Sequence, residues 1–139
     1  MNRGDIMFSQ VTLSFEGNSL TIRDFRYFRE DPPYYNVSFS LSARSGAFAG
    51  EAVACEYHMS EFRRFMDDLS DVYAFRKPTA VLQEICGNRV SFEMAKTGHV
   101  KISGEIGDDV RDNCLHFCFF ADQTALKPFI DGLMRLVEE

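Results

Sequence analysis

The stretch LHFCFFADQTALKPFIDGL, from Leu115 to Leu133, changes its hydrophobic period in the middle and so decides the fold class. Its first part alternates apolar and other residues, which predicts a strand with Leu115, Phe117 and Phe119 on one face. From there on the apolar residues recur at helical spacing, as Leu126, Phe129, Ile130, Leu133, Met134 and Val137. Asp122-Gln123-Thr124 lies between the two parts, where Asp122 or Thr124 is expected to cap a helix that has Pro128 in its first turn. The stretch therefore predicts a strand that leads directly into an amphipathic helix.

The first half of the chain shows the same order. Alternation predicts four strands joined by glycine-containing turns, the clearest being YNVSFSLSA at residues 35–43. The alternation changes phase near Arg23-Asp24, which predicts a β-bulge. A helix follows, capped by Ser60 and ended by Lys77-Pro78. Its apolar stripe consists of Phe62, Phe65, Met66, Leu69, Val72 and Tyr73.

The second half contains four further strand-like stretches, namely AVLQEIC, RVSFEM, HVKISGEI and CLHFCFF. At an offset of 64 residues the second predicted helix overlies the first, with Thr124 on Ser60 and Asp131 on Asp67. We therefore predict an α+β fold in a single domain, residues 1–139. It is mostly antiparallel β, with about eight strands in a sandwich or curled sheet and two amphipathic helices covering it. The order ββββα occurs twice, and duplication and chance recurrence both remain open.

Composition bounds the class of protein. The chain has 139 residues, of which 45% are hydrophobic and 26% charged, and this excludes a disordered chain. It shows neither a signal-peptide h-region nor an apolar run of about 18 residues, so we expect a cytoplasmic protein with no membrane partner. Its four cysteines are then expected to be reduced, small and buried. The net charge of −6 disfavours direct binding to nucleic acid and favours a basic protein as partner.

Few residues have the spacing that a known chemistry requires. Cys114, His116 and Cys118 would share one face of a strand and could bind zinc, but no CxxC or HxxxH pair supplies further ligands. We therefore predict no metal site and expect both cysteines in the core. The three histidines lie outside any nucleophile motif, and the glycines form no nucleotide-binding loop. These observations predict that the protein is not an enzyme and has no cofactor.

Carboxylates cluster in two places and aromatic side chains in one. The first acidic cluster is on the first predicted helix: Asp67, Asp68 and Asp71. The second is in GEIGDDVRD, without the regular spacing of a calcium loop: Glu105, Asp108, Asp109 and Asp112. Such clusters are either solvated faces or patches that steer a cationic partner. The aromatic cluster, DFRYFREDPPYYN, includes Tyr27 and Tyr34 and is either core plus turn or a protein-binding surface.

Four segments, taken in order, resemble the WapI family of bacterial immunity proteins. They are GAFAGEAVA (46–54), EFRRFMDDL (61–69), GHVKISGEI (98–106) and LHFCFFADQTALKPFIDGL (115–133). The strand that ends in aromatic residues, followed by Asp122-Gln123-Thr124 and a helix, is the most specific part. The resemblance implies a cytoplasmic antidote encoded beside a polymorphic toxin, which binds and blocks the toxin's C-terminal domain, commonly a nuclease. It brings no catalytic residues with it.

We therefore predict an immunity protein that neutralises the toxin domain, expected to be a nuclease, of its cognate contact-dependent toxin; its oligomeric state stays open. The predicted interface uses carboxylates that stand where phosphates would bind, with an aromatic anchor. Its candidate residues are Asp67, Asp68 and Asp71, or Asp108, Asp109 and Asp112, with Tyr27 or Tyr34. The alternative is a small-molecule-binding module with a pocket between the curved sheet and one helix.

Overall fold

The computed structural model describes residues 10–28, 36–95, 97–108 and 110–138, and it shows two four-stranded antiparallel sheets, each followed by a helix. In chain order the elements are β1 Val11–Phe15, β2 Asn18–Tyr27, β3 Val37–Ser45, β4 Phe48–Tyr57, α1 Met59–Tyr73, β5 Thr79–Gln83, β6 Arg89–Met94, β7 His99–Gly107, β8 Cys114–Asp122 and α2 Gln123–Glu138. The predicted α+β fold with eight strands and two helices is confirmed. Of the strand predicted at residues 35–43, Tyr35 lies outside the described residues.

The first sheet has the order β1-β2-β3-β4, in which each strand pairs with the next along the chain. Glu16 and Gly17 join β1 to β2 with φ angles of 52° and 84°, the left-handed pair that a tight hairpin needs. The pairing of β2 with β3 shifts register between Arg23 and Arg26, and Asp24 has a φ of 57°. The predicted bulge is therefore confirmed, and it explains why the hydrophobic alternation changes phase there.

The second sheet repeats this meander in the order β5-β6-β7-β8. Glu105 of β7 lies opposite Arg89 of β6 on one side and His116 of β8 on the other. Gly107 lies opposite Cys114. Because directly opposed residues share a face of the sheet, this register brings charged and metal-ligating side chains together on the outer face of β7 and β8.

Helix α1 buries the predicted apolar stripe with one addition, Met59, and one exception, Tyr73, which is only partly buried. Its buried residues are Met59, Phe62, Phe65, Met66, Leu69 and Val72. The predicted cap is wrong. The N-cap residue is His58, whose ring accepts a hydrogen bond from the backbone N–H of Ser60 at 3.4 Å, and Ser60 itself lies in the first turn. Strand β4 ends at Tyr57 and α1 begins at Met59, so the helix starts earlier than a cap at Ser60 would require. It also ends at Tyr73, ahead of Lys77-Pro78.

Helix α2 departs from its prediction in two ways. It begins five residues before Pro128, so the proline lies in the second turn and not in the first. Met134 is exposed, whereas Leu136 is buried in its place. The backbone of α2 at Gly132 lies close to the side chain of Val11 in β1, since a Cβ on Gly132 would lie 3.1 Å from the Cβ of Val11. The buried face of α2 is therefore rotated toward its glycine.

The two helices connect the halves of the molecule. Helix α1 contacts β5 and β6 of the second sheet, α2 contacts β1 of the first, and the helices contact each other. Aromatic rings follow the same path from β3 to α2, with neighbouring centroids 5.6 to 6.3 Å apart: Phe39, Phe62, Phe65, Phe92 and Phe129. The single-domain organisation stays a prediction. It is favoured because each helix contacts the sheet of the other half of the chain.

Candidate functional site

The first predicted acidic cluster lies on α1 and is largely neutralised. Asp68 Oδ1 is 2.5 Å from Lys77 Nζ, and Asp71 Oδ1 is 3.1 Å from Arg76 Nε. The hydrogen bond to Asp68 raises the pKa of Lys77, which therefore keeps its charge. Asp67 is exposed. Three carboxylates and two cations leave a local charge of about −1, so this cluster attracts a distant cation only weakly.

The second predicted acidic cluster follows β7. The Asp108 carboxylate accepts hydrogen bonds from Asp112 N at 2.9 Å, Asn113 N at 3.3 Å and Asn113 Nδ2 at 3.0 Å. These bonds, that of the Asn113 side chain above all, lower the pKa of Asp108. Asp112 is exposed, and Asp109 lies outside the described residues. Asp108 therefore shapes the β7–β8 loop, while Asp112 presents its carboxylate to solvent.

The structure describes one of the two predicted aromatic anchors, Tyr27. Tyr27 ends β2 and packs at the margin of the hydrophobic core, where it is partly buried. Tyr34, like Pro32-Pro33 beside it, lies outside the described residues. The choice of either tyrosine as an anchor stays a prediction.

A cleft of about 570 Å³ separates the start of β4 from the β7–β8 loop. Asp108, Asp112 and Glu51 contribute its carboxylates, and the remaining lining is small or apolar: Ala49, Gly50, Ile106, Gly107, Asn113, Cys114 and Leu115. Phe48 and Val110, neighbours in sequence of the lining residues, are 71% and 72% exposed. The cleft thus brings together two predicted carboxylates with Glu51, which forms an ion pair with Arg23. The sequence had singled out neither Glu51 nor the two exposed apolar side chains.

A chain of hydrogen bonds supports this cleft from inside. It starts at Glu84, only 3% exposed, whose Oε1 accepts from Asn88 Nδ2 at 2.8 Å. The buried Asn88 Oδ1 in turn accepts from Gly107 N and from Arg111 Nη1, both at 2.9 Å. Arg111 Nη2 then donates to Glu105 Oε2 at 2.8 Å. Through these bonds the β5–β6 turn fixes the β7–β8 loop that carries the acidic residues.

The outer end of this chain is a cluster of unlike polar groups. Cys114 Sγ donates to Glu105 Oε2 at 3.1 Å and lies 3.2 Å from Arg111 Nη2. His116 Nδ1 is 3.7 Å from Glu105 Oε1. Because the thiol donates to a carboxylate, the pKa of Cys114 is raised. A thiol that keeps its proton is a poor nucleophile, which disfavours covalent catalysis at this residue.

The predicted burial of the cysteines is correct for one of the four. Cys55 is buried, and burial raises the pKa of its thiol to about 12. Cys86, Cys114 and Cys118 are exposed, so the expectation that Cys114 and Cys118 belong to the core is wrong. The inward face of β8 is already filled by the aromatic residues that alternate with them, Phe117 and Phe119.

The segment Asp122-Gln123-Thr124 joins secondary-structure elements. Asp122 Oδ1 lies 3.6 Å from Nε2 of His99, its partner across the β7–β8 pair. The Gln123 side chain donates to the backbone oxygen of Tyr73 at 2.7 Å, which ties the start of α2 to the end of α1. Asp122 stands directly before the helix, but within the described part of the chain no hydrogen bond joins its side chain or that of Thr124 to the first-turn amides.

The space between a sheet and a helix is small. Two neighbouring clefts border α1. One has a volume of about 260 Å³ and is lined by Glu56, Tyr57, Glu61, Gln83, Glu84 and Ile85. The other has a volume of about 180 Å³ and is lined by Tyr57, Glu61, Arg64, Phe65, Asp68, Val81, Leu82 and Gln83. Pockets that hold small organic ligands usually exceed about 300 Å³ and bury most of the ligand. This geometry does not favour the predicted alternative of a small-molecule-binding module.

No helix in the described part of the chain has the length and the apolar content needed to cross a membrane.

Comparison with known proteins gives the family. A crystal structure of Trypanosoma bruciei MRP1/MRP2 is similar in fold, with a TM-score of 0.52 and 10% sequence identity over 93% of this chain and 82% of the other. No curated protein gives a significant match. Residues 9–139 match the immunity protein WapI-like family, so the match extends well before residue 46, where the four resembling segments begin. The match spans nearly the whole sequence, and the chain belongs to the immunity protein WapI-like family.

Proposed function

We propose that this chain neutralises a cognate bacterial toxin by binding its C-terminal toxin domain and blocking the active cleft. Membership of the WapI-like immunity family supports this function. The net charge of −6 favours a basic partner, which is what a nuclease domain that holds polyanionic RNA or DNA would be. In this proposal the chain binds protein and not nucleic acid, and it inhibits by occupancy rather than by a reaction of its own.

The binding surface in this proposal is the acidic cleft, defined by Glu51, Asp108 and Asp112 and flanked by Phe48 and Val110. It carries the proposal because carboxylates line it, exposed apolar side chains follow or precede its lining residues in sequence, and its β7–β8 loop is held from inside. Interfaces gain affinity from apolar anchors and specificity from charged groups around them. Of the three carboxylates of the acidic cleft, Glu51 forms an ion pair with Arg23 and Asp108 binds its own loop, whereas Asp112 is exposed. On α1, Asp68 and Asp71 form ion pairs and Asp67 is exposed.

The proposed place of action is the cytoplasm. Cys55, Cys114 and Cys118 are free cysteines, and Cys114 and Cys118 are exposed. Exposed unpaired thiols are typical of reducing compartments.

Co-expression tests the function itself. The toxin domain encoded beside this chain should stop growth when expressed alone and should be tolerated when this chain is expressed with it. Purified chain should then suppress cleavage of RNA or DNA by the purified toxin domain at an equimolar ratio. Persistent toxicity and unchanged cleavage in the presence of the folded chain would contradict the proposed function.

A pair of charge reversals tests the surface. Asp112→Lys and Asp67→Lys each change the net charge by the same amount, and both carboxylates are exposed. If the acidic cleft faces the toxin, Asp112→Lys should slow association about 3- to 10-fold at low salt and reduce its salt dependence, while Asp67→Lys should have less than about a twofold effect. Stopped-flow binding across a salt series measures both. Equal effects, or a larger effect of Asp67→Lys, would exclude the acidic cleft as the surface.

A further inference from the structure

We propose that Glu105, Cys114 and His116 form a binding site for a borderline-soft divalent cation, of which zinc suits the donor set best. One ligand atom of each residue lies within 4.8 Å of the others, the separation that ligands of one metal ion adopt after small side-chain rotations. Their chemistry is mixed oxygen, sulfur and nitrogen. Calcium and magnesium prefer oxygen ligands alone, whereas zinc accepts carboxylate, thiolate and imidazole together.

The scaffold of this site is rigid. Glu105 and His116 are directly opposed on paired strands, and Cys114 lies opposite Gly107, two residues along β7 from Glu105. Side chains that share one face of a sheet converge without movement of the backbone. The histidine is 74% exposed and the glutamate 40% exposed, so an ion can reach all three groups from solvent. The fourth coordination position is open to water or to a group from a partner.

Arg111 shows that the cluster already attracts a cation. Its Nη2 lies 2.8 Å from Glu105 Oε2 and 3.2 Å from Cys114 Sγ, within the space that a metal ion would take. A metal ion must displace this guanidinium and the thiol proton of Cys114, which leaves to solvent as the thiolate forms. The arginine is therefore a competitor and not a ligand.

Cobalt(II) and zinc(II) titrations of the reduced, chelator-treated chain test this inference. We expect one ion per chain, with a cobalt–thiolate charge-transfer band in the ultraviolet and proton release on binding. Cys114→Ser should remove the band, and His116→Ala should weaken binding about 10-fold or more. Cys118→Ser is the matched control, because Cys118 is exposed on the same face of β8 but belongs to no such cluster among the described residues. It should leave the affinity unchanged.

Removal of the competing cation provides an independent test. Arg111→Asn keeps a residue type that tolerates the φ of 62° found at this position, and it should strengthen zinc binding. Circular dichroism and the melting temperature confirm that each variant is folded. The inference is overturned if the wild type shows no saturable binding, if cobalt binds without a thiolate band, or if Cys118→Ser weakens binding as much as Cys114→Ser. Weaker binding in a folded Arg111→Asn variant would likewise overturn the assignment of Arg111 as a competitor.

Discussion

Gly132→Ala should destabilise this protein, although the same change in most helices is stabilising. Alanine is favoured over glycine inside a helix by about 0.5–1 kcal/mol. Here a Cβ on Gly132 would overlap Val11 Cγ2 and lie 3.1 Å from Val11 Cβ. Added atoms in a packed interface cost about 1–3 kcal/mol. The difference predicts a net loss of about 0.5–2 kcal/mol in the free energy of unfolding.

Val11→Ala removes Cγ2, the atom that the new methyl group would overlap, and keeps Cβ, so it provides a control for the overlap. In the Val11→Ala background, Gly132→Ala should lose most of its cost, because only the 3.1 Å contact with the Cβ of residue 11 still opposes the helix preference. Urea denaturation of the four proteins, with unchanged dependence on denaturant, measures the coupling. If Gly132→Ala stabilised the wild type, or had the same effect in both backgrounds, the described packing of α2 on β1 would be wrong.

Three further changes test the support of the site and the start of α1. Asn88→Ala should cost about 2–4 kcal/mol in urea denaturation, because it removes a hydrogen bond from the buried Glu84 carboxylate and leaves the backbone N–H of Gly107 without its partner. A loss no larger than that of the exposed Asn113→Ala would contradict this. Folding lowers the pKa of Asp108 from 3.8, so its contribution to stability should be present above pH 3.8 and lost as the pH falls through the lower folded-state pKa. The stability difference between wild type and Asn113→Ala should therefore shrink at that low pH. A difference that stayed constant with pH would refute this prediction. His58→Ala should lower stability by about 0.5–1 kcal/mol and by more than Ser60→Ala, because His58 is the N-cap of α1. The reverse order in thermal melts would instead support Ser60 as the cap.

The fold class follows from periodicity because side-chain alternation and helix stripes are local properties of the chain. The bulge at Arg23-Asp24 was predictable for the same reason, since one extra residue must shift the phase of everything after it. The orientation of α2 was not. Its buried face depends on the contact of Gly132 with Val11, which lie at opposite ends of the sequence. A stripe drawn from apolar residues alone therefore included Met134, which is exposed.

The cysteines show two general rules in conflict. Free cysteine is usually buried, and this tendency placed Cys114 and Cys118 in the core. The strand rule places them opposite Phe117 and Phe119, hence on the outer face, and the structure follows the strand rule. Glu105 completes the cluster only through the register of β7 on β8, which no local pattern specifies. The support from Asn88 is likewise a product of tertiary structure, because the residue lies far from Arg111 in sequence.

The number of carboxylates in a segment also overstates the attraction that the segment exerts on a partner. Phe75, with a φ of 62°, reverses the chain after α1, and the backbone N–H groups of Arg76 and Lys77 donate to the Asp71 carbonyl. The turn that ends the helix thus places Arg76 beside Asp71 and Lys77 beside Asp68. On the β7–β8 loop, Asp108 binds the backbone of its own turn and leaves Asp112 exposed. Loop geometry therefore decides which carboxylates are free to meet a cation, and here it leaves Asp67 exposed on α1 and Asp112 exposed at the acidic cleft. The comparison of Asp112→Lys with Asp67→Lys distinguishes the two surfaces for this reason.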